Sequence, residues 1–111
     1  MLLAALEVRV SARVVTAEGS LDDKQRKKLT WWYARLKADV FAGDQIPKDR
    51  IPVALASRSG VPGRISNAWR FELPGAFRGI YTVQPSSARH PMVLVLEVLS
   101  HKEYDRLFGY G

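Results

Sequence analysis

The stretch NAWRFELPGAFRGIYTV, from Asn67 to Val83, decides the fold of this 111-residue chain. On both sides of Pro74-Gly75, aromatic or aliphatic residues alternate with polar or charged ones, which is the period of a half-buried β-strand. The Pro-Gly pair between the two runs is typical of a tight turn. We therefore predict two antiparallel strands, at residues 67–73 and 77–83, joined by a short loop.

The length of that loop sets which side chains share a face. A three-residue loop at 74–76 pairs Leu73 with Phe77 and Glu72 with Arg78, whereas a two-residue loop would separate the aromatic faces. Arg70 and Arg78 then lie on the face opposite the aromatic side chains, and that face is predicted to be basic. The core face is predicted to hold Trp69, Phe71, Phe77, Tyr81, Trp32 and Leu36.

Downstream, residues 92–99 are nearly continuously apolar, which indicates a strand buried on both faces. The spacing Ser100-x-x-Glu103 follows at once and is the capping box that starts a helix. This short helix is predicted to run to about Phe108, with a left-handed cap at Gly109.

Upstream, residues 6–10 alternate as a strand does, and Ser11 can cap a short helix over 12–18 closed by Gly19. A second helix is predicted from Ser20–Asp23 to Gly43, with an apolar stripe at helical spacing. The tryptophans are interpreted as core anchors, and a binding role for Trp31 is the alternative. Residues 44–66 are broken by prolines and glycines, so we predict a long loop there, either RNA-binding or simply solvated.

These elements predict a single domain over residues 1–111. Its fold class is α+β: a small, mainly antiparallel sheet with N-terminal helices packed on one face and a short C-terminal helix.

Composition limits the function. The net charge of +6 and the pI near 10 suggest a polyanionic partner, and the excess is even, with +3 in each half of the sequence. Without cysteines, and with only His90 and His101, we expect no metal or other cofactor. The apolar opening is too short for a signal peptide or a membrane span, so a cytoplasmic location and no membrane partner are expected.

Four residues are predicted to converge on phosphodiester chemistry: Arg70 and Arg78 on the basic face, and His101 and Tyr104 three positions apart at the start of the last helix. A base would remove the ribose 2′-OH proton, cations would stabilise the phosphorus, and an acid would protonate the leaving oxygen.

Plainer roles exist for the same residues. Arg78 could pair with Glu72 across the strands, and His101 with Asp105 one helical turn away. Tyr104 could pack its ring, and Lys102 and Arg106 could belong to a solvated face.

The C-terminal half, roughly residues 65–110, resembles the RelE/ParE toxin superfamily. The similar segments are Asn67–Val83, the apolar strand, and the run LSHKEYDRLFGY from Leu99 to Tyr110, whose His-Lys-x-Tyr-Asp and Phe-x-Tyr patterns are typical of one branch. The resemblance implies a RelE-like fold and a toxin of a type II toxin–antitoxin system. RelE-like members enter the ribosomal A site and cut mRNA, and a cognate antitoxin neutralises them.

The resemblance also implies roles for residues. Arg78 falls where the family places a catalytic arginine, and residues 101–104 match a region of further catalytic groups. We expect Arg78 to stabilise the phosphate and His101 and Tyr104 to act as acid and base. The residues expected to bind substrate are Arg70, Lys102, Arg106 and Tyr110.

The expected partners are mRNA, the ribosome and an antitoxin. An acidic or amphipathic antitoxin segment would cover a concave basic face or displace the last helix. Two other functions remain open: a ParE-like inhibitor of DNA gyrase, and a non-catalytic binding module of the same fold.

Overall fold

The computed structural model describes residues 3–86 and 89–109. Within them it has five strands, β1 (Glu7–Val10), β2 (Asp44–Ile46), β3 (Ala68–Leu73), β4 (Phe77–Gln84) and β5 (Met92–Leu99). It has four α-helices, α1 (Ala12–Glu18), α2 (Asp23–Ala38), α3 (Ala54–Arg58) and α4 (His101–Phe108). Single 3₁₀ turns lie at Lys48–Arg50 and Pro74–Ala76.

The strands form one open sheet in the order β1-β5-β4-β3-β2. Only β1 runs parallel to its neighbour, and the other three pairings are antiparallel. Leu73 pairs with Phe77 and Glu72 with Arg78, as the three-residue loop predicts. The α+β class and the mainly antiparallel sheet are therefore confirmed.

One face of the sheet carries the main core, where helices α1 and α2 pack on β3, β4 and β5. Trp69, Phe71 and Tyr81 are buried there beside Leu36, with Trp32 and Phe77 partly buried against them. The predicted aromatic face is thus confirmed. Trp31 is not a core anchor, because its position on α2 leaves it 49% exposed.

Helix α2 is shorter than predicted. Its N-cap is Asp22, in a capping box with Gln25, and it ends at Ala38 instead of continuing to Gly43. Val40 is still buried. The Tyr81 hydroxyl holds the segment after Ala38 against the sheet, because it donates to the Val40 carbonyl at 2.8 Å and accepts the Gly43 N–H at 3.0 Å. Contacts to the sheet therefore end the helix before the periodic pattern does.

The prediction of one long loop over 44–66 is wrong. Asp44–Ile46 pairs with β3 as the edge strand β2, and a 3₁₀ turn and α3 follow. A strand of three residues between Gly43 and Pro47 is too short to show an alternating pattern in the sequence. It forms because β3 supplies its hydrogen-bond partners.

The second face of the sheet is not an open basic surface, which corrects another prediction. A second core covers it, in which Leu55 of α3 and Tyr104 of α4 pack on Ile80, Leu96 and Leu99. Arg70 and Arg78 do lie on this face and are partly buried. No helix in the described ranges is long and apolar enough to cross a membrane.

Candidate active site

Helix α4 brings the candidate residues together. Ser100 caps it in a capping box, since its side chain accepts the Glu103 N–H and the Glu103 carboxylate accepts the Ser100 N–H. That hydrogen bond lowers the pKa of Glu103. Gly109 ends the helix in the left-handed conformation. The capped helix packs against β4 and β5, and its first turns place His101 beside Arg78 of β4 and Tyr104 beside Arg70 of β3.

Arg78, His101 and Asp105 form a chain of hydrogen-bonding groups. Arg78 Nη1 lies 3.0 Å from His101 Nδ1, and His101 Nε2 lies 3.1 Å from the Asp105 carboxylate. Because a guanidinium only donates, this geometry assigns the proton of neutral His101 to Nε2 and the lone pair to Nδ1. The His101 side chain is 58% exposed, so its lone pair lies beside solvent.

Arg70 and Tyr104 form the second contact. Arg70 Nη1 donates to the Tyr104 hydroxyl at 3.2 Å, and Tyr104 is only 3% exposed. This hydrogen bond, followed by the nearby carboxylates Asp44 and Glu72, raises the pKa of Arg70 against the opposing effect of burial. The guanidinium therefore stays charged in its partly buried position.

The Tyr104 ring supports both guanidinium groups. The Arg78 guanidinium carbon lies 4.7 Å from the ring centroid and that of Arg70 lies 5.9 Å away, both in cation–π range. Phe108 stacks on Tyr104 at 4.3 Å between centroids. Arg78 Nε is buried and has no hydrogen-bond acceptor in residues 3–86 and 89–109. Neither does Arg78 form an ion pair with Glu72 within these ranges, although the two residues are paired across the strands.

The remaining predicted residues that the structure describes, Lys102 and Arg106, lie at the edge of the candidate active site. Lys102 and Arg106 are exposed and line, with His101 and Asp105, an open depression of about 310 Å³. They are adjacent to the candidate acid–base group without contacting Arg78. Tyr110 falls outside the described residues.

The predicted pairing of His101 with Asp105 is confirmed, and the contact also assigns the tautomer of His101. One group was missed from the sequence: Glu97, in the apolar strand β5, whose side chain is 2% exposed and lies between Arg13 at 2.9 Å and Arg58 at 3.3 Å. The apolar pattern of β5 did not predict a buried ion pair at Glu97, because its partners come from α1 and α3.

The described residues contain no group of three or more His, Cys, Asp or Glu side chains placed to hold a metal ion. No protein-family model, no curated protein and no solved structure matches this chain. The chemistry of its own side chains is therefore the basis on which a function is proposed.

Proposed function

We propose that this protein is an endoribonuclease that cleaves mRNA, acting as the ribosome-dependent toxin of a type II toxin–antitoxin system. One observation supports this most strongly: each of two neighbouring arginines is bonded to a group able to exchange a proton. Arg78 contacts His101 at 3.0 Å and Arg70 contacts Tyr104 at 3.2 Å. Cleavage next to a ribose uses a base, an acid and positive charge on the phosphate, and these two pairs can supply all three.

The reaction uses these groups as follows. His101 Nδ1 accepts the proton of the ribose 2′-OH, and the 2′ oxygen forms a bond to phosphorus. The bond from phosphorus to the 5′ oxygen breaks, and Tyr104 donates a proton to that oxygen. The products are a 2′,3′-cyclic phosphate and a free 5′-OH. Arg78 and Arg70 stabilise the added negative charge on the phosphate oxygens, so the named groups supply base, acid and charge without a metal ion.

Both acid–base groups are occupied by arginine in the free protein. Bound RNA would exchange these contacts, since its phosphate attracts the guanidinium groups and its 2′-OH replaces Arg78 as the donor to Nδ1. Asp105 keeps the proton on Nε2 throughout and stabilises the imidazolium that forms. Among the described residues, Arg78 Nε is a buried donor without an acceptor, which costs about 1–3 kcal/mol. An unsatisfied donor of this kind supports the proposal that the Arg78 side chain is positioned to bind the RNA phosphate.

Lys102 and Arg106 extend the positive charge beside His101 and would contact the RNA backbone. An antitoxin would act most directly on α4, because His101, Tyr104 and Asp105 all lie on that helix. Displacing α4 from the sheet would separate the acid–base groups from Arg70 and Arg78 in one movement. The proposed place of action is the cytoplasm, where mRNA and ribosomes are found.

Inducible expression of His101→Gln and the matched control Lys102→Gln tests the proposal. Both residues are exposed in the first turn of α4, but only His101 contacts Arg78. We expect the wild type to stop growth and to cut mRNA in translated regions, Lys102→Gln to do both more weakly because one backbone contact is lost, and His101→Gln to do neither while remaining folded. Undiminished killing by His101→Gln, with DNA breaks and intact mRNA, would reassign the protein as a gyrase inhibitor. Absence of toxicity in the wild type would favour a non-catalytic module.

A further inference from the structure

We infer that the exposed side of α2 is a second RNA-binding surface, on the face of the sheet opposite the candidate active site. Helix α2 contains six Lys or Arg residues and one Asp, so it contributes +5 of the net charge of +6. The two halves of the sequence carry equal charge, but within the first half α2 is strongly basic while the remaining residues are slightly acidic.

The cations of α2 form a stripe around an exposed aromatic ring. Lys24, Lys28, Trp31 and Arg35 recur at intervals of three or four residues, and Lys27 lies four residues before Trp31, so all five share one side of the helix. This basic stripe is about 16 Å long at 1.5 Å per residue. The opposite side of α2, with Leu29 and Leu36, is buried against the sheet.

Most of these charges have no acidic partner. In the described part of the chain the only α2 cation in an ion pair is Arg26, 3.6 Å from Asp23. Lys28 Nζ lies 3.8 Å from the centroid of the Trp31 ring, and Trp31 packs edge-on against Trp32 at 5.0 Å. The indole is thus held in place while half of it stays exposed.

An exposed indole among lysines suits an unpaired nucleobase and its phosphates. Bases stack on aromatic side chains whatever their sequence, and lysines bind phosphates as flexible point charges. A membrane surface fits less well, because interfacial helices insert an apolar face and the apolar face of α2 is buried in the core.

The position of the basic stripe indicates what kind of RNA binds. The inference rests on the proposed function in one respect: an RNA that reaches both the basic stripe and Arg78 must pass round the sheet. The molecule is 25 Å across in its shortest dimension. An unpaired strand long enough to pass round the sheet meets this requirement.

Two sets of substitutions in the full chain carrying His101→Gln test the basic stripe, with a labelled, unstructured single-stranded RNA as probe. Lys24→Gln/Lys27→Gln/Lys28→Gln should lower the affinity and reduce the slope of log K against log salt by about 2, at about 0.7 per lost phosphate contact. The control Arg9→Gln/Lys48→Gln/Arg89→Gln makes the same charge change at exposed positions outside α2. It should leave both quantities near their starting values.

The aromatic contribution is tested separately. Trp31→Ala should weaken RNA binding about 5- to 150-fold, and Trp31→Phe should weaken it less while removing part of the fluorescence quenching caused by RNA. Circular dichroism checks that each variant is folded. Equal losses in the α2 and control triples, or full affinity in Trp31→Ala, would overturn the inference. So would binding to phosphatidylserine vesicles without binding to RNA. The assay measures binding alone, so its outcome is independent of whether His101 supports cleavage.

Discussion

Arg78 and His101 are 23 positions apart in the sequence, and their side chains meet with 3.0 Å between Nη1 and Nδ1. Because the guanidinium donates, Nδ1 must keep its lone pair, and the proton on Nε2 faces Asp105 at 3.1 Å. In the proposed reaction, the lone pair of His101 Nδ1 is the base, and this pairing turns it toward the guanidinium proposed to bind the phosphate.

Asp105→Asn is expected to impair this base while leaving the fold intact. The Asn amide can donate to Nε2, which would move the proton to Nδ1 and turn a donor toward Arg78. We expect RNA cleavage to slow by about 10²–10⁴-fold, the range of acid–base contributions, and imidazole ¹⁵N NMR to report the change of tautomer. The neighbouring Arg106→Gln removes a proposed backbone contact and serves as the comparison: it should weaken RNA binding and leave the cleavage rate at saturating RNA near the wild-type value. Full activity in Asp105→Asn would show that the tautomer is unimportant.

Tyr104→Phe separates the hydroxyl of Tyr104 from its ring. The variant keeps the ring beneath Arg78 and loses the hydrogen bond from Arg70. If Tyr104 donates the proton to the leaving oxygen, single-turnover cleavage should fall about 10²–10⁴-fold, with a stability loss of only about 1 kcal/mol. Tyr104→Leu should lose stability as well, because ring packing on Phe108 disappears. Retained cleavage in Tyr104→Phe would limit Tyr104 to supporting the arginines.

The buried carboxylate of Glu97 predicts a rank order of stabilities. Arg13→Met with Arg58→Met leaves a buried charge without a partner and should destabilise the protein by about 3–5 kcal/mol. Glu97→Gln should cost less, about 1–3 kcal/mol, since both arginines are partly exposed and can be hydrated. Adding Glu97→Leu to the double arginine variant should restore much of the loss. Urea unfolding measures all three, and the reverse order would mean that the ion pairs do not govern this site.

We predict that the ring of Phe71 leaves room only for glycine at position 79. The two residues are paired across β3 and β4, and a Cβ at position 79 would lie 2.1 Å from Phe71 Cζ. Gly79→Ala should therefore destabilise the protein by about 1–3 kcal/mol through overpacking, and Phe71→Leu in the same chain should relieve part of it. Gly19→Ala is the control, because a Cβ there meets only Thr16 O at 3.4 Å. Thermal unfolding of these three variants and of the wild type provides the comparison.

Tyr81 predicts a loss of stability in alkali. Burial, opposed by the hydrogen bond from the Gly43 N–H, raises the pKa of Tyr81 to about 12 from its ordinary value near 10. Between these values the unfolded chain releases a proton that the folded chain keeps, so stability is full below pH 10 and declines as pH rises through 12. Absorbance of tyrosinate at alkaline pH should show a late-titrating group that Tyr81→Phe removes. An unchanged titration in that variant would contradict the assignment.

Local patterns predicted those parts of the molecule whose cause is local. Alternation over Asn67–Val83 determined two strands, and the loop Pro74–Ala76 determined their register. Ser100 and Glu103 determined where α4 begins, and Gly109 where it ends. The RelE-like function stays a proposal, since it depends on how side chains from three elements act together.

By itself, the sequence determined the α+β class and the aromatic face, because each follows from a period or a motif within a few neighbours. The roles of the site residues stay a prediction. Only the tertiary structure decided that Ile46 and its neighbours form an edge strand, that Glu97 is buried between two arginines, and that α4 covers the basic face. These contacts join residues far apart in the chain. Their free energy comes from burial and charge pairing between separate elements, which no local window of sequence contains.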